Sequence, residues 1–250
     1  DEEVPQAYEQ TSDAYQNSSN LVGAYLDNNA LVYDSPSFDM GGASVSFDLA
    51  FSPNASDNAV NNGGVGAQSD TFGQGYGAGV TISGLAEGLT LGVYGDIREN
   101  TLSPAAGADA VRDQFTGTWY AKYSAGPVSF GYQTSYFDSG LASALVAANS
   151  PATVGTSAGV FEAESMSIAF NVNDNLSISW TDTTDTYDAQ SNIASGTETV
   201  DVDKETDALQ VAYSMGGMSI KAYRMTESNP NYDSDAAESE KSEISLGLAF

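Results

Sequence analysis

The chain contains no cysteine and no histidine, and only seven lysines and arginines stand against 34 aspartates and glutamates in 250 residues. Without cysteine there is no disulfide framework, no thiol nucleophile and no thiolate metal site. Without histidine, the usual general base near neutral pH and the commonest transition-metal ligand are missing too. A net charge of −27 repels phosphates, which argues against nucleic acid as a partner. No run approaches the ~18 consecutive apolar residues of a transmembrane helix, which leaves strands as the only way for this chain to cross a bilayer. High charge can signal disorder, yet 14 tyrosines, 10 phenylalanines and repeated alternating runs describe a folded chain. One all-β domain is ordinary at this length. No signal peptide precedes Asp1, so the chain reads as a mature protein or a fragment.

What is present is alternation. From residue 43 onward, segments 43–52, 78–84, 88–98, 115–125, 127–137, 163–172, 175–183, 206–215, 217–225 and 242–250 interleave apolar with small polar residues. In the first, Val45, Phe47, Leu49 and Phe51 share one face; in the last, Ile244, Leu246, Leu248 and Phe250 do. Residues two apart lie on one face of a strand, so each segment predicts a strand with an apolar face and a polar one. Short turns at 84–88, 125–127, 173–175 and 216–217 alternate with long polar loops at 53–77, 99–114, 138–162, 184–205 and 226–241. That order predicts an all-β, antiparallel, up-and-down meander with a short-turn rim and a long-loop rim. In a membrane barrel the apolar face meets lipid; in a soluble barrel of ~8 strands it turns inward. A chain that stops on Phe250 suits a membrane interface better than an apolar edge open to water. On the apolar parity, Trp119, Tyr123, Tyr132, Tyr136, Trp180, Tyr213 and Phe250 are expected in aromatic girdles, or packed against a neighbouring subunit.

Residues 31–51, LVYDSPSFDMGGASVSFDLAF, resemble the general porins of Gram-negative outer membranes, the alphaproteobacterial branch especially, and Phe250 matches that family's C-terminal assembly signal. The resemblance covers these two segments in residues and most of the chain in pattern. It implies a homotrimer of transmembrane barrels with about 16 strands each, whose third long loop folds into the lumen and narrows it. The chain departs from the family in strand number. With 30–38 added to the ten segments there are about eleven strands, while bacterial single-chain barrels have even numbers and an unpaired edge in hydrocarbon is costly. Either about five strands are missing upstream, the chain being the C-terminal two-thirds of a porin, or it is a complete barrel of about 10 or 12. On the first reading 1–29 is the constriction loop and 30–250 the barrel wall.

An inward loop would make Asp1, Glu2, Glu3, Glu9 and Asp13 an acidic constriction; the bland reading is a solvated acidic terminus. Parity turns Asp48, Asp96, Arg98, Lys122, Lys221 and Glu243 toward the polar face. In the resembled family, basic wall residues face an acidic loop and set up a transverse field; otherwise these six are polar fillers of the lumen. Loop carboxylates at Asp182, Asp185, Asp188, Asp201 and Asp203, then Asp233, Asp235, Glu238 and Glu240, offer oxygens to Ca²⁺ or simply keep the surface solvated. No stretch has EF-hand spacing, and VDVDKETD lacks its glycine. The run Gly73–Gly79, GQGYGAG, has no βαβ unit around it and reads as the flexible foot of a loop.

Catalysis has no foothold, since nothing activates the plentiful serines and the carboxylates lie in loops rather than one pocket. The expected function is an outer-membrane channel for passive diffusion of small hydrophilic solutes and ions, cation-preferring and needing no cofactor. The rival is a calcium-binding structural or adhesive surface β-protein. An outer-membrane hydrolase is a distant third.

Overall fold

Alternation becomes one antiparallel sheet. The computed structural model describes residues 2–26, 29–55, 72–100, 112–141, 151–155, 157–190 and 201–249. Its strands are β1 (Leu31–Asp34), β2 (Phe38–Met40), β3 (Ala43–Ser52), β4 (Phe72–Ser83), β5 (Leu89–Asn100) and β6 (Gln114–Ala125). They continue with β7 (Val128–Asp138), β8 (Val160–Asn173), β9 (Leu176–Asp188), β10 (Val202–Met215), β11 (Met218–Glu227) and β12 (Ser239–Leu248). From β3 each strand pairs with the next in sequence, as an up-and-down meander requires. β1 and β2 both pair with β3 and form one edge strand broken at Ser35–Ser37. Pro36 has no N–H for the ladder, and Ser35 bridges the gap: its N–H donates to Phe47 O (2.9 Å) and its Oγ accepts from Phe47 N (2.8 Å). The twelve strands thus occupy eleven rows, and the two edges, β1/β2 and β12, do not pair with each other.

The short turns gather at one rim. Gly126 and Gly216 there have φ of +59° and +60°, a left-handed backbone that glycine adopts without cost. The opposite rim carries the long connections, and the strands reach further toward it than the apolar pattern indicated. Segment 163–172 begins at Val160, 175–183 runs on to Asp188, and 206–215 begins at Val202. The GQGYGAG run likewise belongs to β4 and is not a flexible loop foot.

Register explains the shortfall. Val45, Phe47 and Leu49 are the outward apolar residues of β3; followed strand by strand across the ladder, the same three rows reach Asp207, Glu205 and Asp203 on β10. The apolar band therefore crosses the sheet obliquely, as tilted strands in a barrel-type wall demand. On β8 to β10 the long-loop ends rise past that band, and their outward positions become acidic. Asp182, Asp185 and Asp188 stand in β9 and Asp203 in β10, not in loops. Strands β3 to β12 have 10–14 residues. At ~3.3 Å per residue they measure roughly 33–46 Å, longer than a ~30 Å hydrocarbon layer.

The two faces differ as alternation requires. Outward lie Leu49, Val93, Trp119, Phe130, Trp180, Leu209 and Ile244, each more than a third exposed. The other face carries Ser, Thr, Gln, Gly and a few charges, and residues 2–26 lie against it, touching strands from β4 (Leu26 over Gly75) to β12 (Tyr8 to Glu243).

Candidate functional site

Residues 2–26 hold little regular structure: a single turn of α-helix at Thr11–Ala14 and 3-10 turns at Ser18–Leu21 and Ala24–Leu26. They stay in place because the wall bonds their backbone. Glu3 N donates to Gln133 Oε1 on β7 (2.5 Å), Ser167 Oγ on β8 donates to Pro5 O, and Ala7 N donates to Ser179 Oγ on β9 (2.9 Å). Gln210 on β10 completes the series: its Oε1 accepts from Tyr8 N (2.8 Å) and Glu9 N (3.0 Å), and its Nε2 donates to Glu9 O. Successive strands thus engage alternate residues of an extended peptide. Ladder partners place this route three strand spacings across and four residues toward the short-turn rim. That diagonal is about 20 Å, close to the reach of the six extended residue-to-residue steps from Glu3 to Glu9. Gly131 makes room for it: a Cβ there would press on Val4 and Pro5.

The segment's second half is fastened near the long-loop rim. Phe137, Phe161, Tyr187 and Val202 form a single inward row across β7 to β10. With Leu21, Val154 and Tyr232 they make a small apolar core, in which the Phe161 and Tyr187 rings stack at 4.5 Å. One row below, the fully buried Asp185 accepts from Ser18 N (2.7 Å) and the Tyr232 hydroxyl (2.9 Å). Lys204, also buried, lies beside Asp185 on the ladder, pairs with Glu227 at 3.7 Å and donates to Gln16 O. Burial, and after it the Asp185 charge, push the Tyr232 phenol well above its ordinary range. Buried charges are tolerated only when paired and fully hydrogen-bonded, and this set meets that condition.

The wall of β1 to β6 is different. Arg98 on β5 is buried between the Tyr25 and Phe72 rings, 3.5 Å from each centroid, and donates to Gln114 and to Ala55 O (3.0 Å). Asp96 accepts from Gly23 N (2.9 Å) and Thr116. Below these contacts the segment stands off the wall and leaves a cavity of about 440 Å³, lined by Glu3, Asp34, Asp48, Tyr94 and Tyr120 among others.

Each residue singled out from the sequence has a place here, except Asp1 and Phe250, which lie outside the described residues. Glu2 is buried and accepts from Thr11, Ser12 N and Thr183. Glu3 pairs with Lys122 at 2.6 Å. Glu9 meets Asp13, Lys221 and Glu243; burial, and after it the Asp13 contact, raise its carboxyl above the usual range. Glu243 accepts from the Tyr8 hydroxyl at 2.5 Å, which raises that phenol. Asp48 lines the cavity, whereas Asp96 and Arg98 are engaged by the segment. Trp119, Tyr123, Tyr132, Tyr136, Trp180 and Tyr213 are on the outward parity, Trp119 packing on Tyr132 at 5.3 Å. Asp182, Asp188 and Asp203 face outward while Asp185 faces in, and Asp201, Asp233 and Asp235 sit at strand and loop ends. Among the described residues no three carboxylates converge to hold a metal ion.

Sequence reading missed Lys204, Asp34, Tyr94 and Tyr120. The parity of Thr206, Ala208 and Gln210, carried two residues back, would have turned Lys204 inward. Asp34 is opposite Asp48 only because β1 pairs with β3, a register that no local signal displays.

No protein family and no curated protein matches the chain in sequence. Its backbone does resemble a solved structure, the crystal structure of the outer membrane channel DcaP of Acinetobacter baumannii, with a TM-score of 0.53 at 12% identity. The likeness covers 87% of this chain and 60% of that one, so the chain spans less than two-thirds of that channel's length. At such low identity the likeness concerns the fold alone, which in this chain is an all-β, antiparallel, up-and-down sheet.

Proposed function

We propose that this chain forms the wall and constriction of a porin in the outer membrane of a Gram-negative bacterium, passing small hydrophilic solutes by passive diffusion and preferring cations. One observation supports this above the others: an acidic segment is bonded, strand by strand, across the polar face of a sheet whose opposite face is apolar. Lipid on one face and a watery lumen on the other satisfy both sides of such a wall. Residues 2–26 then narrow the lumen. Glu3, Asp34 and Asp48 give the remaining passage a negative lining, while Lys122 and Lys221 face acidic residues of the segment. A lining of one sign favours counter-ions through a narrow passage. The porins resembled in residues 31–51 extend the proposal to a homotrimer, to an alphaproteobacterial source and to further strands that close the barrel. No catalytic step enters this reading.

The purified protein reconstituted in planar bilayers tests it, with reversal potentials measured across a potassium chloride gradient. Ohmic single-channel steps with potassium more permeant than chloride are expected. Absence of channels, or preference for chloride, overturns the proposal.

A further inference from the structure

All four lysines of the chain lie on the concave face, and each is held in the same way. Lys122 Nζ is 4.9 Å from the Tyr120 ring centroid, Lys204 Nζ 4.6 Å from that of Tyr232, Lys221 Nζ 5.2 Å from that of Tyr8, and Lys241 Nζ 4.2 Å from that of Tyr15. An oxygen partner completes each setting: Glu3 for Lys122, Glu227 for Lys204, Glu9 near Lys221 and the Ala14 carbonyl for Lys241. A ring face attracts an ammonium through its quadrupole, a carboxylate does so through charge, and the two together suit an alkylated nitrogen better than a bare metal ion.

The cavity beside β1 to β6 has both elements: Lys122 takes up Glu3 and Tyr120 at its edge, and Tyr94 with Asp34 and Asp48 forms a second such setting that holds no lysine. Asp34 and Asp48 are direct cross-strand partners, and among the described residues neither carboxylate forms an ion pair or a side-chain hydrogen bond. Like charges directly opposite each other are unfavourable unless a cation joins them. Tyr94 supplies the ring. It lies along β4 over Gly77 and Gly79, where any side chain would force it into the lumen. A Cβ at Gly79 would stand 2.7 Å from Tyr94 Cδ2 and 3.5 Å from Asp48 Oδ2, so ring and carboxylate border the same hollow. Tyr120 lies over Gly92 in the same manner and borders the same cavity, but its ring already faces Lys122, which leaves Tyr94 as the ring for an incoming cation. A volume of about 440 Å³ has room for a small organic cation.

We infer that this cavity is a subsite for small organic ammonium ions, amines and quaternary ammonium compounds, on their way through the channel. The inference rests on the channel reading above. Bi-ionic reversal potentials with tetramethylammonium against potassium test it on the reconstituted protein. The tetramethylammonium-to-potassium permeability ratio is expected to exceed the ratio of their mobilities in water. Tyr94→Leu should lower it about two- to fivefold, the worth of one exposed cation–π contact. Tyr94→Phe, which keeps the ring, should preserve it, and Asp34→Asn with Asp48→Asn should lower it as well. A wild-type ratio equal to the mobility ratio, or one that Tyr94→Leu leaves alone, overturns the subsite while the potassium current upholds the channel. If no potassium current flows, the channel reading falls and the subsite with it.

Discussion

The walls of β7–β10 and β1–β6 present the same kind of polar face, yet one is covered by the segment and the other borders an open cavity. On β7 to β10 the inward residues are Gln133, Ser167, Ser179, Asp185, Lys204 and Gln210, with side chains long or polar enough to bond a passing backbone. On β4 and β5, below Asp96 and Arg98, they include Gly77, Gly79 and Gly92, which offer no side-chain partner and instead let Tyr94 and Tyr120 lie flat. The difference teaches that a lumen is shaped as much by where the wall withholds side chains as by where it supplies them. It also divides the charges. The covered wall neutralises its own, Lys204 against Asp185 and Glu227, while the open wall leaves Asp34 and Asp48 facing solvent.

The largest effect expected from breaking this contrast lies in the covered wall. Lys204→Met leaves Asp185 and Glu227 buried without their cation, at a cost of about 3–5 kcal/mol. Urea unfolding in detergent micelles should show that loss. Limited proteolysis should show residues 14–20 exposed, because Gln16 loses its anchor.

A matched pair of substitutions sharpens the comparison. Gly77→Val and Gly131→Val each insert a side chain into occupied space, at about 1–3 kcal/mol apiece, but against different neighbours. At Gly77 the new methyl groups meet Tyr94 and Leu26 and lift the ring into the cavity. At Gly131 they meet Val4 and Pro5 and push the segment away from the wall. Single-channel conductance should therefore fall in the first variant and rise in the second.

The smallest effect expected concerns acid. Burial and Asp13 raise the Glu9 carboxyl above its ordinary 4.5, so the docked segment holds that proton more tightly than the free one. This contribution to docking is complete below pH 4.5 and is lost as pH rises through the raised value. Glu9→Gln should remove that part of the pH dependence, leaving the segment equally protected from proteolysis on both sides of the transition.

Much of the fold was legible because alternation is a local signal: Val45 to Phe51 and Ile244 to Leu248 declare their faces without reference to anything else. Strand ends were not, because the wall is tilted. Glu162 and Glu164 continue the outward parity of Met166 and Ile168 above the apolar band, where the inward positions are Phe161 and Ala163, so the alternation reverses its sense and the apolar pattern no longer marks the outward face. The site was legible in its charges and illegible in its pairings. Lys122 could be turned inward from sequence, but its partner Glu3 is 119 residues away, and such long-range meetings carry no local mark. Tyr94 and Tyr120 were passed over for a related reason: a tyrosine on a polar face looks like filler until the glycines beneath it are seen.

The central claim is that one face of this sheet lines water and the other meets lipid, and adjacent residues can test it. In a chain without cysteine, Asp48→Cys places a single thiol on the cavity side of β3, and Leu49→Cys places one on the opposite face. A membrane-impermeant cationic thiosulfonate applied to channels in a bilayer should react at residue 48 and lower the potassium current, and should leave residue 49 untouched. Reaction at residue 49 with residue 48 silent would mean that the faces are reversed and the account is wrong.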